Sequence, residues 1–367
     1  MQNKDNPIPE RLLSLDFFRG ITMFLLVAEF THFSFYLLSF QAEGTFIHGI
    51  AEQLEHHPWH GFHFWDLIQP FFMFIVGVAM PLSYATRTIK GESHQQILHH
   101  TIRRSLLLLF MGWGLYCIPD GKITFYFQNV LAQLSVTILI AFLIMRKPVL
   151  TQILVSLGLL AFTEFLYRTC SVEGYNQPFV AGHNFGSWVD MLISGKLSDG
   201  NWVNFNAIPT AAHTIWGVLA GKLLMSDKKA KMKLRILILA GITGLIIGYG
   251  LDPVTPIIKR IATTSFIFFS GGWTFLALAL TYWLIDIRKY QKGILFFTVV
   301  GMNSLAIYLF ASIGGADLID KMVTPFAWAL FSWSGEVAQG MAMSLIALLI
   351  LWYICYWMFK NKIFIKI

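Results

Sequence analysis

The sequence predicts an all-α protein, a polytopic bundle of about ten transmembrane helices with both termini on the cytoplasmic side. Three observations carry this. Of 367 residues, 56% are hydrophobic and 13% charged, whereas a soluble globular chain has roughly 25% charged residues. Long apolar runs recur along the whole chain, and a transmembrane helix needs about 20 such residues. Lysine and arginine alternate between the connections, as the positive-inside bias requires.

The spans fall at 15–38, 64–84, 102–118, 128–145, 149–167, 207–225, 234–251, 263–285, 293–313 and 338–359. The segment 128–145 is short enough to sit shallow, and 207–225 carries Pro209 and His213. Internal glycine and proline are common in transmembrane helices and do not argue against them. With the N-terminus inside, the inner connections hold nineteen Lys and Arg and the outer ones six, with Arg19 and Lys222 inside spans. Residues 1–14 are polar, and the first apolar run lacks a small-residue cleavage site, so it reads as the first span. The chain 1–367 is then one integral-membrane domain. Two outward loops stand out, 39–63 and 168–206; the longer holds Trp188, Trp202, Asn201, Asn204 and Asn206, side chains that suit a sugar, while Trp at an interface is equally an ordinary belt residue.

Some functions are disfavoured. The net charge of +7 is explained by positive-inside loops, and nucleic acid is not an expected partner; the lipid bilayer is. Cys117, Cys170 and Cys355 match no zinc, haem or redox spacing.

Ionisable residues inside spans are costly and point to function. In "LDFFRG", Asp16 and Arg19 stand at i, i+3 and can pair; Arg19 can equally meet an anionic ligand. Glu29 lies 13 residues further on, roughly 20 Å along the helix, in the outer third of a core about 30 Å thick. Asp66 opens the second span, so a hairpin places Glu29, His32, Asp66 and the end of the first loop at one depth. A carboxylate near imidazole is what proton-transfer chemistry uses. Further along, "TSFIFFSGGWTF" and "GMNSLAIY" bring small residues and Asn303 into apolar runs, where small residues pack and polar ones bond across helices.

The stretch "EHHPWHGFHFWD" (55–66) holds His56, His57, His60 and His63. It reads three ways. As a metal site, His56 and His60 are at i, i+4, but Pro58 between them breaks a two-ligand helix face; no metal is expected. As a membrane rim it needs no chemistry. As a catalytic site, one histidine oriented by a carboxylate is a general base or nucleophile. The residues alone do not choose the histidine.

The strings "RLLSLDFFRGIT" (11–22), "HHPWHGFHFWDLIQPFFMFIVG" (56–77), "TSFIFFSGGW" (264–273) and "GMNSLAIY" (301–308) resemble the heparan-α-glucosaminide N-acetyltransferase family and its bacterial relatives. The resemblance runs in order along the whole chain and is most specific at 56–77. It implies a transmembrane acetyltransferase that moves acetyl from cytoplasmic acetyl-CoA to an amino or hydroxyl group of an extracytoplasmic sugar or glycan. It selects His56 as the active-site histidine, three residues before Trp59 in the family's pattern, with Asp66 as its partner. The lysosomal enzyme has an asparagine where this chain has Glu29 and Phe30. On this reading the CoA phosphates lie near Arg19, Arg103 and Arg104, and Ser270 or Asn303 donates to the oxyanion. A bacterial inner membrane and a homodimer are further expectations. The rival from another class is a proton-coupled carrier of a small sugar or amino sugar, using Glu29, Asp66 and the histidines as its path.

Overall fold

The computed structural model describes residues 12–40 and 43–365. Residues 1–11, with Lys4 and Arg11, and residues 366–367, with Lys366, lie outside the described residues, and with them both chain ends to which the orientation refers.

The described chain is all helical. In order, the helices are α1 (Leu13–Glu29), α2 (Phe33–Phe40), α3 (Phe46–Gln53), α4 (Ile68–Ile89), α5 (His94–Asp120), α6 (Val130–Met145), α7 (Val149–Thr169), α8 (Phe185–Ser194), α9 (Ala207–Met225), α10 (Ala230–Leu251), α11 (Thr264–Thr281), α12 (Ile294–Met302), α13 (Ser304–Phe310), α14 (Ala316–Leu330) and α15 (Glu336–Lys360). Every one of the ten expected spans is helical. Six helices are long and apolar enough to cross a membrane, and eight crossings result if each of two bent pairs is one span. These pairs are α1 with α2, bent by 63°, and α12 with α13–α14, bent by 71°. The two expected spans outside that set are α6, an apolar helix of 16 residues, and α9.

The chain forms two compact units. The first comprises the described part of Met1–Leu15, Pro58–Phe62 and Gln69–Lys289. Its centre is α9, against which α6, α7 and α11 pack. Fourteen of its nineteen residues are buried, including Thr210, His213 and Thr214. A helix wrapped by protein does not need the apolar surface that lipid demands, and α9 carries Thr210, His213, Thr214 and Lys222 along its length. By contrast, the most apolar stretches of α5 and α10 are only 17% buried, and their apolar side chains supply the outer surface. Gly77 of α4 faces the Thr214 carbonyl and Gly217 of α9 faces the Phe74 carbonyl so closely that a Cβ at either would collide with backbone. This is the small-residue contact that lets transmembrane helices approach.

The long connection between α7 and α9 is folded. Tyr167, Val203, Ile258 and Ile261 form a buried cluster that Trp59, Phe179, Phe185 and Phe205 cover. Asn204 accepts from the Phe127 N–H at 2.8 Å, and Asn206 accepts from Gln133 Nε2 at 2.7 Å. Two asparagines expected to face a sugar thus hold the loop together.

The second unit comprises the described parts of Asp16–His57, His63–Ile68 and Tyr290–Ile367. α15 packs against α2, α12 and α14, and Phe24 of α1 meets Phe296 and Phe297 of α12. The first expected span is broken rather than straight. Its break, residues 30–32, ends with His32 in the left-handed region at φ 55°, a conformation uncommon for a residue other than glycine. The ninth is broken at Asn303, whose amide donates to the Ile363 carbonyl at 3.0 Å and accepts from the Ile365 N–H at 3.2 Å. Beyond it α13 lies within the expected span, and after a non-helical Gly314 at φ 100° the helix resumes as α14, which the apolar pattern leaves as a connection.

Candidate functional site

The second unit brings Glu29, His56 and Asp66 together. Glu29 is the last residue of α1, so the helix break leaves it at a C-terminal end. Asp66 lies in a single 3₁₀ turn, Phe64–Leu67, that leads into α4. Its side chain reaches back to accept the His63 N–H at 2.9 Å and the His57 N–H at 3.4 Å. Asp66 is 1% exposed, and its two backbone donors satisfy a carboxylate that burial would otherwise penalise.

His56 completes the group. Its Nδ1 lies 3.1 Å from Asp66 Oδ1, where the ring N–H donates and the carboxylate accepts. Its Nε2 lies 3.5 Å from Glu29 Oε1, long for a strong hydrogen bond. The Asp66 contact fixes the tautomer and turns Nε2 outward. The side chains of His56 and Glu29 are 28% and 41% exposed, against 1% for Asp66. One face of the imidazole is therefore anchored and the other is open.

The neighbouring histidines differ. His63 Nδ1 bonds to the Glu55 carbonyl at 3.0 Å, and the His57 and His63 rings meet edge to face at 4.7 Å. Phe64 N–H donates to Gln53 Oε1 at 3.0 Å. These contacts hold the loop that carries His56. The intervening Pro58–Phe62 belongs to the first unit. There the Trp59 indole donates to the Phe179 carbonyl at 2.8 Å, Gly61 N–H donates to the Ile257 carbonyl at 2.9 Å, and His60 Nε2 pairs with Asp252 at 3.0 Å. Among the described residues, no group of three or more His, Cys, Asp or Glu side chains is arranged to hold a metal.

The other expected residues occupy their own settings. Arg19 donates to Asp16 at 2.9 Å, and its Nε is buried without a partner. Arg103 and Arg104 are exposed on α5. Ser270 donates to the Phe266 carbonyl at 2.6 Å and lies 3.0 Å from His213 Nε2. Gly272 packs against α10, as its small size suggested.

Two polar clusters escaped the sequence reading. In the first, Gln133 joins Gln69, Asn206 and the Gln128 carbonyl inside the first unit. In the second, Asp190 of α8 accepts from the Asn204 N–H at 3.0 Å and Gln128 Nε2 at 3.3 Å. Burial pushes the Asp190 carboxyl up to about 6, against the opposing pull of those donors. The available signal was a glutamine or aspartate amid apolar residues.

A multi-span membrane protein with a carboxylate-anchored, half-open histidine beside a helix break is the class that this fold and geometry define. Residues 11–250 match the family model described as heparan-alpha-glucosaminide N-acetyltransferase, catalytic. The chain belongs to that family. It is 26% identical to heparan-alpha-glucosaminide N-acetyltransferase of Homo sapiens and 24% identical to that of Mus musculus, over 98% and 97% of this chain. It spans about 60% of the length of these curated relatives. The matched range includes Arg19, Glu29, His56, Trp59, Asp66, Arg103 and Arg104; Ser270 and Asn303 lie beyond it.

Proposed function

We propose that the protein is a transmembrane acetyltransferase that carries acetyl from cytoplasmic acetyl-CoA to an extracytoplasmic amino sugar or glycan, and that His56 is its reacting base. The single observation behind this reading is the His56 ring, anchored through Nδ1 by Asp66 and open at Nε2 beside Glu29. The family membership supports the reaction class.

In this scheme Asp66 keeps the Nδ1 proton in place and stabilises the imidazolium that forms. The acceptor binds at the open face. Glu29 holds an acceptor amine as its ammonium ion, and the excess proton passes to the carboxylate, which releases it to water as the amide product leaves. The freed nitrogen attacks the thioester carbonyl while Nε2 of His56 takes its remaining acidic proton. The C–N bond forms, the C–S bond breaks, and the CoA thiolate leaves and is protonated by the imidazolium. A carboxylate at 3.5 Å from the reacting nitrogen favours an amine over a hydroxyl, because only the amine arrives with a positive charge. Arg19, Arg103 and Arg104 supply cations for the CoA phosphates, the chain works as one domain, and the positive-inside bias sets both termini in the cytoplasm.

Sealed vesicles of one orientation test this. Radiolabelled acetyl-CoA is supplied on the cytoplasmic face, with amino sugars and neutral glycans on the other. Label is expected on an amino sugar, with stoichiometric CoA release. Uptake of sugar driven by a proton gradient, without CoA release, would assign the protein to transport instead.

A further inference from the structure

We propose that the cleft between the start of α5 and the end of α6 is a binding site for the phosphate headgroup of an anionic phospholipid. It belongs to the first unit and takes no part in the chemistry assigned to His56. The cleft has a volume of about 410 Å³ and is lined by His94, Leu98, Phe142, Leu143, Arg146 and Lys147. That size lies within the range of small-molecule sites. Its lining divides by chemistry: two permanent cations and an imidazole for a headgroup, and three apolar side chains for the carbon beside it.

The site is built rather than a chance gathering of surface charge. The His94 ring stacks on Phe142, with centroids 5.7 Å apart and planes within 2°, and its Nδ1 lies 3.3 Å from the Tyr84 hydroxyl. The imidazole is thereby set in the wall. The Lys147 carbonyl accepts from Gln152 Nε2 at 2.8 Å and lies 3.5 Å from Lys222 Nζ. The first contact fixes the backbone that carries the cations; the second brings a third cation, Lys222, nearby. Among the described residues, no carboxylate pairs with Arg146, Lys147 or Lys222. Neighbouring cations without a carboxylate partner repel one another, and a phosphate relieves that repulsion.

The apolar wall indicates the bilayer rather than solution as the source. Leu143 is 68% exposed on a helix whose other side is buried, so it faces hydrocarbon. Basic pockets between transmembrane helices at the level of the headgroups bind anionic lipids in this way. A soluble phosphate would use the cations and leave the exposed Leu143 without a role.

The test uses the full-length protein equilibrated with vesicles of phosphatidylcholine, with and without phosphatidylglycerol, and counts retained lipid by native mass spectrometry. Phosphatidylglycerol is expected to be retained over phosphatidylcholine. Arg146→Gln with Lys147→Gln should lower its retention about thirtyfold, and Arg146→Gln alone about fivefold, which keeps the test usable if the double variant does not fold. Lys228→Gln with Lys229→Gln, on the connection before α10, should leave it unchanged. Equal loss in that control would reduce the effect to general surface charge and overturn the proposal. So would undiminished retention in the Arg146 variants, or displacement of the lipid by inorganic phosphate or CoA.

Discussion

Two histidines of this chain, His213 and His56, have opposite settings. His213, on α9 in the first unit, is 0% exposed. Its Nε2 lies 3.1 Å from the Ile267 carbonyl and 3.0 Å from Ser270 Oγ. Its ring meets Trp216 edge-on. Every partner is neutral and none can leave. His56, in the second unit, has a carboxylate on each ring nitrogen, one buried and one open. The first arrangement ties Nε2 to neutral partners inside a helix bundle and leaves Nδ1 buried without one. The second leaves a basic nitrogen facing outward with its tautomer fixed. Residue type does not separate the two; partner charge and access do.

That contrast gives ordered expectations. His56→Ala should lower acetyl transfer by about 10²–10⁴-fold, the range of a general base, with unchanged thermal unfolding. Asp66→Asn retains the shape but lets the ring rotate and removes the charge that stabilises imidazolium; a loss of about 10²–10³-fold in kcat is expected, measured by CoA release. Glu29→Gln should cost less, about tenfold, appear mainly in KM for amine acceptors, and be smaller for hydroxyl acceptors. A Glu29→Gln variant that weakens both equally would remove the ammonium role and leave the His56–Asp66 pair standing alone.

His213→Ala should do the reverse. It strips a partner from Ser270 and opens a gap in a buried seam, which costs about 1–3 kcal/mol. The melting temperature falls, while transfer per folded molecule is retained. Asp190 gives the smallest effect and a pH signature. Its folded carboxyl titrates near 6, above the usual carboxylate value, so the folded state holds the proton more tightly than the unfolded one. Stability on this account falls as pH rises from about 4 to 6 and is flat above. Asp190→Asn keeps an acceptor for the Asn204 N–H and should remove that slope, as melting curves across pH 4–7 would reveal.

Much of this was legible in the sequence, for identifiable reasons. Apolar length located the helices, because the bilayer sets a minimum span. The depth argument brought Glu29 and Asp66 together, since a hairpin fixes where residues equidistant from a surface must meet. The helix breaks at 30–32 and Asn303 were not legible: both fall within apolar runs, and the bends depend on tertiary bonds such as those from Asn303 to Ile363 and Ile365. α3, α8 and α14 were also missed, because each is short or amphipathic and lies in a segment read as a connection. Trp59 shows the limit of motif reading. Its place in the pattern is beside the histidine, yet its indole is bonded to Phe179 of another segment. Asn204 and Asn206 likewise matched a sugar site by type, and the fold uses them internally.

The most direct test of the contrast is a paired measurement of acetyl-CoA-dependent CoA release by His56→Ala and His213→Ala, each normalised to folded, membrane-inserted protein. The account predicts that His56→Ala loses at least about a hundredfold in turnover and melts like the wild type, while His213→Ala melts earlier and turns over normally. Wild-type turnover by His56→Ala would contradict it.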